Sequence, residues 1–90
     1  VCVSDPVAFG AMMALQRLGL SVPNDLAITG FGAFEISQIA QPSITTVNVW
    51  ADLIGQKTGE MIESILNHEL PADKHASLSL EPQLVRGHST

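Results

Sequence analysis

The spacing of apolar positions alternates along this chain between a strand-like and a helical period. Val1 to Val3 is a short apolar run that reads as a buried strand. Val7, Ala8, Ala11, Met12, Leu15 and Leu18 then recur at helical spacing, which predicts a helix whose broad stripe covers a sheet. Leu26 to Thr29 is again a strand, Phe34 to Ala40 a short helical turn, and Ile44 to Val47 a further strand. A second strong helix ends near Asn67. Its apolar face is Ile54, Thr58, Met61, Ile62 and Ile65, with Gln56, Lys57, Glu60, Glu63, Ser64 and Asn67 opposite. Ser77 to Leu80 alternates as a short strand, and Leu84 to Arg86 forms a last strand before a loose end. Strands alternating with helices argue for an α/β fold with a parallel sheet flanked by helices.

Punctuation agrees with the periods. Ser4-Asp5-Pro6 opens the first helix, with Asp5 the expected cap and Pro6 at a position whose missing N–H costs nothing. Gly19 supplies a left-handed stop, and Pro23, Asn24 and Asp25 build a turn. Pro42 ends the short helix. Gly55 and Gly59 flank the stripe of the second helix and would let it sit close to a sheet.

The first helix carries more apolar surface than one face can use. Phe9 and Met13, four apart, project from roughly the opposite side, beside Gln16. A helix apolar on both sides is buried on both sides. The second stripe is covered either by the rest of a larger protein or by another subunit.

Gly30-Phe31-Gly32 interrupts the Leu26 strand with two residues that let a ligand or another backbone approach closely. Ligands of open α/β sheets sit at the carboxyl ends of strands, and this is such an end. Here the sequence becomes recognisable. Gly-Phe-Gly-x-Phe-Glu at 30–35, Gln-Pro-x-Ile-Thr-Thr-Val at 41–47 and Leu-Ile-Gly at 53–55 stand in that order. Ser4-Asp5-Pro6-x-Ala8-x-Gly10, Gly19-x-x-Val22-Pro23-x-Asp25 and Leu84-Val85-x-Gly87-x-Ser89 extend the set to both ends. Together they resemble the C-terminal part of the lactose-repressor (LacI/GalR) family of bacterial transcription regulators.

The resemblance implies a fragment of a two-lobed, type I periplasmic-binding-protein-like domain. Residues 1–47 would belong to the C-terminal lobe, 48–77 would return to the N-terminal lobe, and 78–90 would be the last strand and tail. Ser4, Asp5, Phe31, Gly32 and Val49 would converge on an effector cleft. Relatives that bind neutral sugars usually carry Asn, Asp and often Gln where this chain has Ser4, Gly32 and Val49. Gly32 is therefore either a pocket position that has shed a negative charge or simply a tight turn. Such regulators also pair through the first helix and the short one, which implies a homodimer through Phe9, Met13, Phe34, Ile36 and Ile39. Thr45 and Thr46 would help satisfy the backbone at a hinge. Gly-Phe-Gly followed by Phe-Glu looks like the branch that regulates gluconate or related sugar-acid use.

Composition narrows the classes. Ninety residues allow one small domain near the lower limit for a self-sufficient core. The chain opens on Val1 inside a predicted strand, which reads as a fragment of a longer protein. Net charge is −5, with only Arg17, Lys57, Lys74 and Arg86 basic, so this segment has no footprint for nucleic acid. DNA would be reached only through a helix-turn-helix outside it. No apolar run is long enough to span a membrane. A lone Cys2 reads as a buried small hydrophobe, since it has no intrachain partner. His68, His75 and His88 lack metal-ligand spacing and read as loop residues. Gly-Phe-Gly lacks the third glycine of a dinucleotide fingerprint, no Gly-x-Ser-x-Gly elbow is present, and the carboxylates are scattered. No enzyme, cofactor or metal is expected. The reading is the effector-sensing and dimerisation segment of a cytoplasmic repressor, its ligand a sugar or a sugar acid such as gluconate. A periplasmic sugar-binding protein of a transport system is the alternative, and an enzyme of doubly wound fold a third.

Overall fold

A computed structural model describes residues 1–69 and 77–90. The polar loop read around Pro71, Asp73, Lys74 and His75 lies outside them. The described chain forms helix α1 (Asp5–Arg17), helix α2 (Glu35–Ile39), strand β1 (Thr46–Asn48), helix α3 (Ala51–Leu66) and strand β2 (Gln83–Val85). They fall into two compact units, Val1–Val49 with Pro82–Thr90, and Trp50–Glu81.

In the first unit the backbone is laid out as a short ladder. Cys2 N donates to Thr29 O at 2.8 Å, Gly30 N to Thr45 O at 2.8 Å, and Gly32 N to Val47 O at 2.9 Å. Thr29 and Thr45 bridge in parallel, while β1 and β2 pair antiparallel with Thr46 opposite Val85. The α/β fold follows, although the parallel part is a single bridge with flanking bonds. Val1 to Val3 is not a buried strand: Val1 and Val3 are exposed and only Cys2 turns inward. That alternation is what an extended segment imposes on its side chains. Leu26 is likewise exposed while Ile28 is buried.

The core of this unit is Ala8, Met12, Ile28, Ala40 and Ile44, with Cys2, Phe9, Ala11, Leu15 and Val22 packed around it. The α1 stripe is therefore narrower than its spacing implies, because Val7 and Leu18 stay exposed. Phe9, expected on the far side, leans onto this core, and only Met13 of that pair remains outward. The cap of α1 is Ser4, whose Oγ accepts from Val7 N at 3.5 Å. Asp5 stands one residue further in, and its carboxylate bonds Phe34 N and Thr46 Oγ1 instead of capping the helix. Gly19, at φ +77°, ends the helix as expected while Leu20 N returns to Leu15 O at 2.9 Å.

The tail is the opposite of loose. Ser89 is fully buried; its Oγ accepts from Thr45 N at 2.9 Å and donates to Ile28 O at 2.5 Å. Gly87 makes this possible, since a Cβ there would meet Ser43 O at 2.6 Å and the Ile44 carbonyl carbon at 2.7 Å. Thr45 Oγ1 accepts from Gly87 N at 3.0 Å, and Ser43 Oγ pairs with His88 Nδ1 at 3.0 Å. The Thr45 hydroxyl thus satisfies backbone of the tail.

In the second unit α3 is amphipathic as read, yet none of its residues is buried. Ile54, Thr58, Met61, Ile62 and Ile65 line an open depression with Leu78. Side chains at Gly55 or Gly59 would meet nothing within 4 Å, so neither glycine serves a close approach here. Ser77 to Leu80 forms no strand. Trp50 enters α3 from the left-handed region at φ 57°, and its Nε1 donates to Glu81 O at 3.0 Å.

Two outcomes follow. Expressed alone, the 90-residue chain has too few buried side chains for cooperative packing and should behave as a molten or aggregating species. Dispersed amide signals with a cooperative thermal transition in a monomeric sample would refute this. Within the complete protein, Ser89→Ala strands two buried backbone groups and should cost on the order of 1–3 kcal/mol in chemical denaturation. A midpoint equal to the wild type would show that water replaces the hydroxyl.

Candidate functional site

The carboxyl ends of the ladder gather the residues singled out from the sequence, and Asp5 decides how they lie. Asp5 is fully buried at the first position of α1. Its backbone N donates to Phe31 O at 3.1 Å, drawing the Gly30-Phe31-Gly32 turn onto the helix start. Carboxylate Oδ2 accepts from Phe34 N at 2.6 Å, and Oδ1 accepts from Thr46 Oγ1 at 2.6 Å. Thr46 Oγ1 in turn accepts from Ala33 N at 3.2 Å. A buried carboxylate needs such donors, and the helix N-terminus adds a favourable field. Asp5 is therefore not offered to a ligand. Both of its oxygens are engaged within the fold.

Gly30 lets this happen. A Cβ at that position would collide with Asp5 Oδ1 and come within 3.1 Å of Asp5 Cα. The close approach read into the Gly-Phe-Gly turn is an approach of the chain's own carboxylate.

Gly32 differs. Its φ is +110°, a conformation that side-chain-bearing residues rarely adopt, and a Cβ would lie 2.6 Å from Cε2 of Phe34. Its N–H is spent on Val47 O. The tight-turn reading thus has a concrete conformational cause. An Asp here would require the backbone to change and the Phe34 ring to leave, so Gly32→Asp is not a neutral exchange for the fold.

What remains open at this edge is Ser4, Phe31, Gly32, Phe34 and Val49. Phe31 and Phe34 are exposed, while Ser4, Gly32 and Val49 are half-buried. Asp5 bonds Phe31 and Phe34, Gly32 is bonded to Val47, and Ser4 and Val49 stand next in the chain to Asp5 and to the end of β1. Of the apolar residues set apart for pairing, Met13, Phe34 and Ile39 are exposed by 40%, 53% and 64%, and Ile36 is half-buried. Phe9 contacts its own core instead. No cluster of three His, Cys, Asp or Glu suited to a metal occurs among the described residues.

Two participants escaped the sequence reading. Thr46 was read as a β-branched strand residue whose hydroxyl would serve hinge backbone, and its bond to Asp5, 41 positions away, had no local sign. Phe34 was assigned to a helix surface, whereas its ring lies against Gly32. The spacing Gly-x-Phe was the sole local sign.

Compared with known proteins, residues 1–90 match the family described as periplasmic binding protein-like domain. An uncharacterized HTH-type transcriptional regulator, YvdE of Bacillus subtilis (strain 168), is 34% identical over 90 residues, covering 100% of this chain and 28% of that protein. The lactose operon repressor of Rhizobium radiobacter is 31% identical over 81 residues, covering 90% and 71%. The HTH-type transcriptional regulator GntR of Escherichia coli (strain K12) is 34% identical over 77 residues, covering 86% and 23%. Among solved structures, a LacI family transcriptional regulator from Silicibacter pomeroyi superposes with a TM-score of 0.80 at 37% identity, covering 98% of this chain and 31% of that one. The lac repressor dimer bound to operator and the anti-inducer ONPF gives 0.84 at 28%, covering 98% and 30%. The chain thus spans under a third of most of these relatives. Repressors named for unlike systems match about equally well, so similarity does not select an effector. With its whole length matched, the chain belongs to the periplasmic-binding-protein-like domain family, in the form found in LacI-family transcriptional regulators.

Proposed function

We propose that this chain is the effector-sensing and dimerisation segment of a bacterial transcriptional repressor that acts in the cytoplasm. The observation that carries the reading is the edge formed by Ser4, Phe31, Gly32, Phe34 and Val49, held at the carboxyl ends of the ladder where ligands of such sheets bind. Its net charge of −5 argues against direct contact with DNA, which would fall to a helix-turn-helix domain elsewhere in the protein. The regulators among the relatives favour this role over a periplasmic receptor of a transport system and over an enzyme. No helix among the described residues is long and apolar enough to cross a membrane.

The effector in this reading is a sugar or sugar acid, gluconate being one candidate. Gly32 places no charge at the edge. A carboxylate there would repel a ligand carboxylate 4 Å away by roughly 4 kcal/mol at an effective dielectric near 20. The glycine N–H is already bonded and Phe34 fills the space above it, so neither serves the acid group. The support is the absent charge alone.

Pairing, in the same reading, uses Met13, Ile36 and Ile39 as apolar contacts. Ile39→Glu in the complete protein would bring a charge into that contact and should cost on the order of 2 kcal/mol or more per subunit. Ile39 tests this more cleanly than Phe9, because a charge at Phe9 would also enter the chain's own core. The variant should sediment as a monomer, lose operator affinity and keep its ligand. A dimer persisting at micromolar concentration would show that Ile39 faces something else.

Calorimetry on the complete protein with gluconate, a phosphorylated sugar acid, glucose and ribose tests the effector. Binding of an acid, tighter than either neutral sugar, is expected. Tight binding of a neutral sugar with no response to either acid would overturn the preference for acids.

A further inference from the structure

We infer that Phe34 is the specificity-determining residue of the effector edge, an aromatic platform for the face of a cyclic sugar acid. The inference rests on the effector-binding reading above and deepens it. The ring of Phe34 occupies the place that a side chain at position 32 would take: Cε2, Cδ2 and Cζ lie 2.6, 2.9 and 3.6 Å from where a Cβ of Gly32 would be. Glycine and ring are thus a matched pair, the one leaving the volume that the other fills.

The backbone that carries the ring is also held in place. Phe34 N donates to the buried Asp5 carboxylate, and Phe34 O accepts from Ser37 Oγ at 2.7 Å and from Ser37 N at 2.9 Å. Both peptide groups flanking the side chain are held, so the ring is presented by a rigid frame. It is nonetheless about half exposed, at the end of the ladder where a ligand would lie.

An exposed aromatic face on a rigid support recognises a partner with a flat apolar side. The face of a phenyl ring is electron-rich, and the axial C–H groups of a pyranose present a weakly positive apolar patch that packs on it. A hydroxyl-binding side chain at position 32 would instead read ligand oxygens one by one. With the ring in that place, this edge reads shape and an apolar face. An open-chain polyhydroxy acid has no such fixed face and would have to be ordered on binding, which lowers its affinity. The class singled out is a pyranose carrying a carboxylate, and the absence of charge at Gly32 tolerates that group.

The test uses the complete protein, glucuronate as the cyclic acid, gluconate as its open-chain counterpart, and glucose. Wild-type protein should bind glucuronate more tightly than gluconate. Phe34→Ala should weaken glucuronate by about tenfold, as loss of an aromatic contact would. Phe34→Leu keeps apolar volume without the π face and should weaken it nearly as much, while Phe34→Trp should stay within about threefold of the wild type. Sedimentation and thermal unfolding should be unchanged in the Leu and Trp variants. Equal affinity for glucuronate in wild type and Phe34→Leu would overturn the platform, as would gluconate binding at least as well as glucuronate. A shift from dimer to monomer with unaltered affinity would assign the ring to subunit pairing instead. If neither acid binds the wild type while glucose does, the acid preference fails and the platform is judged on glucose with the same variants. Binding of none of the three overturns both readings.

Discussion

A carboxylate taken fully out of water must be surrounded by donors, and Asp5 finds them 29 and 41 residues further along the chain, at Phe34 N and Thr46 Oγ1. Those two bonds, with the Asp5 N to Phe31 O bond, join the start of α1, the glycine turn and β1 at one point. Leaving a buried charge short of a donor costs several kcal/mol, so the arrangement is close to all or nothing. Everything offered to solvent at this edge is placed by a residue that solvent does not reach. The acidic residue that the family resemblance singles out beside the glycine turn has its carboxylate bonded within the fold.

Asp5 illustrates what a sequence can carry. The helices were legible because their signals are local: Asp5-Pro6 and Gly19 bracket α1, Pro42 closes α2, and the stripe from Ile54 to Ile65 marks α3, whereas the runs at 1–3 and 77–80 form no strand. Even so, the cap fell on Ser4, because Asp5 was drawn into longer-range bonds that no helix rule contains. Phe9 was placed on the far side of α1 by its helical angle, yet it is partly buried and packs against the core of its own unit. The glycine-bearing strand end was legible as a turn, but the division of labour among its residues was not. Which residue is spent on the fold and which is left over depends on approaches between segments tens of residues apart.

The two glycines of the turn make the same point in opposite directions. Gly30 is required by a neighbour in space, the Asp5 carboxylate, while Gly32 is required both by its own backbone angle and by a ring two residues on. Read from sequence they are one motif; in the structure they answer different constraints. Adding a side chain at the first would dislodge the buried network, and at the second would evict an exposed ring.

Ser89 carries a further implication. The first unit is discontinuous: residues 50–81 interrupt it, and residues 82–90 return to complete it. Its sheet lacks β2, and the backbone at Ile28 and Thr45 lacks its bridging hydroxyl, until Ser89 arrives. During vectorial synthesis this unit therefore cannot reach its native state as it leaves the ribosome. Its closure comes only after residues 50–81 have been made, when residues 82–90 follow them.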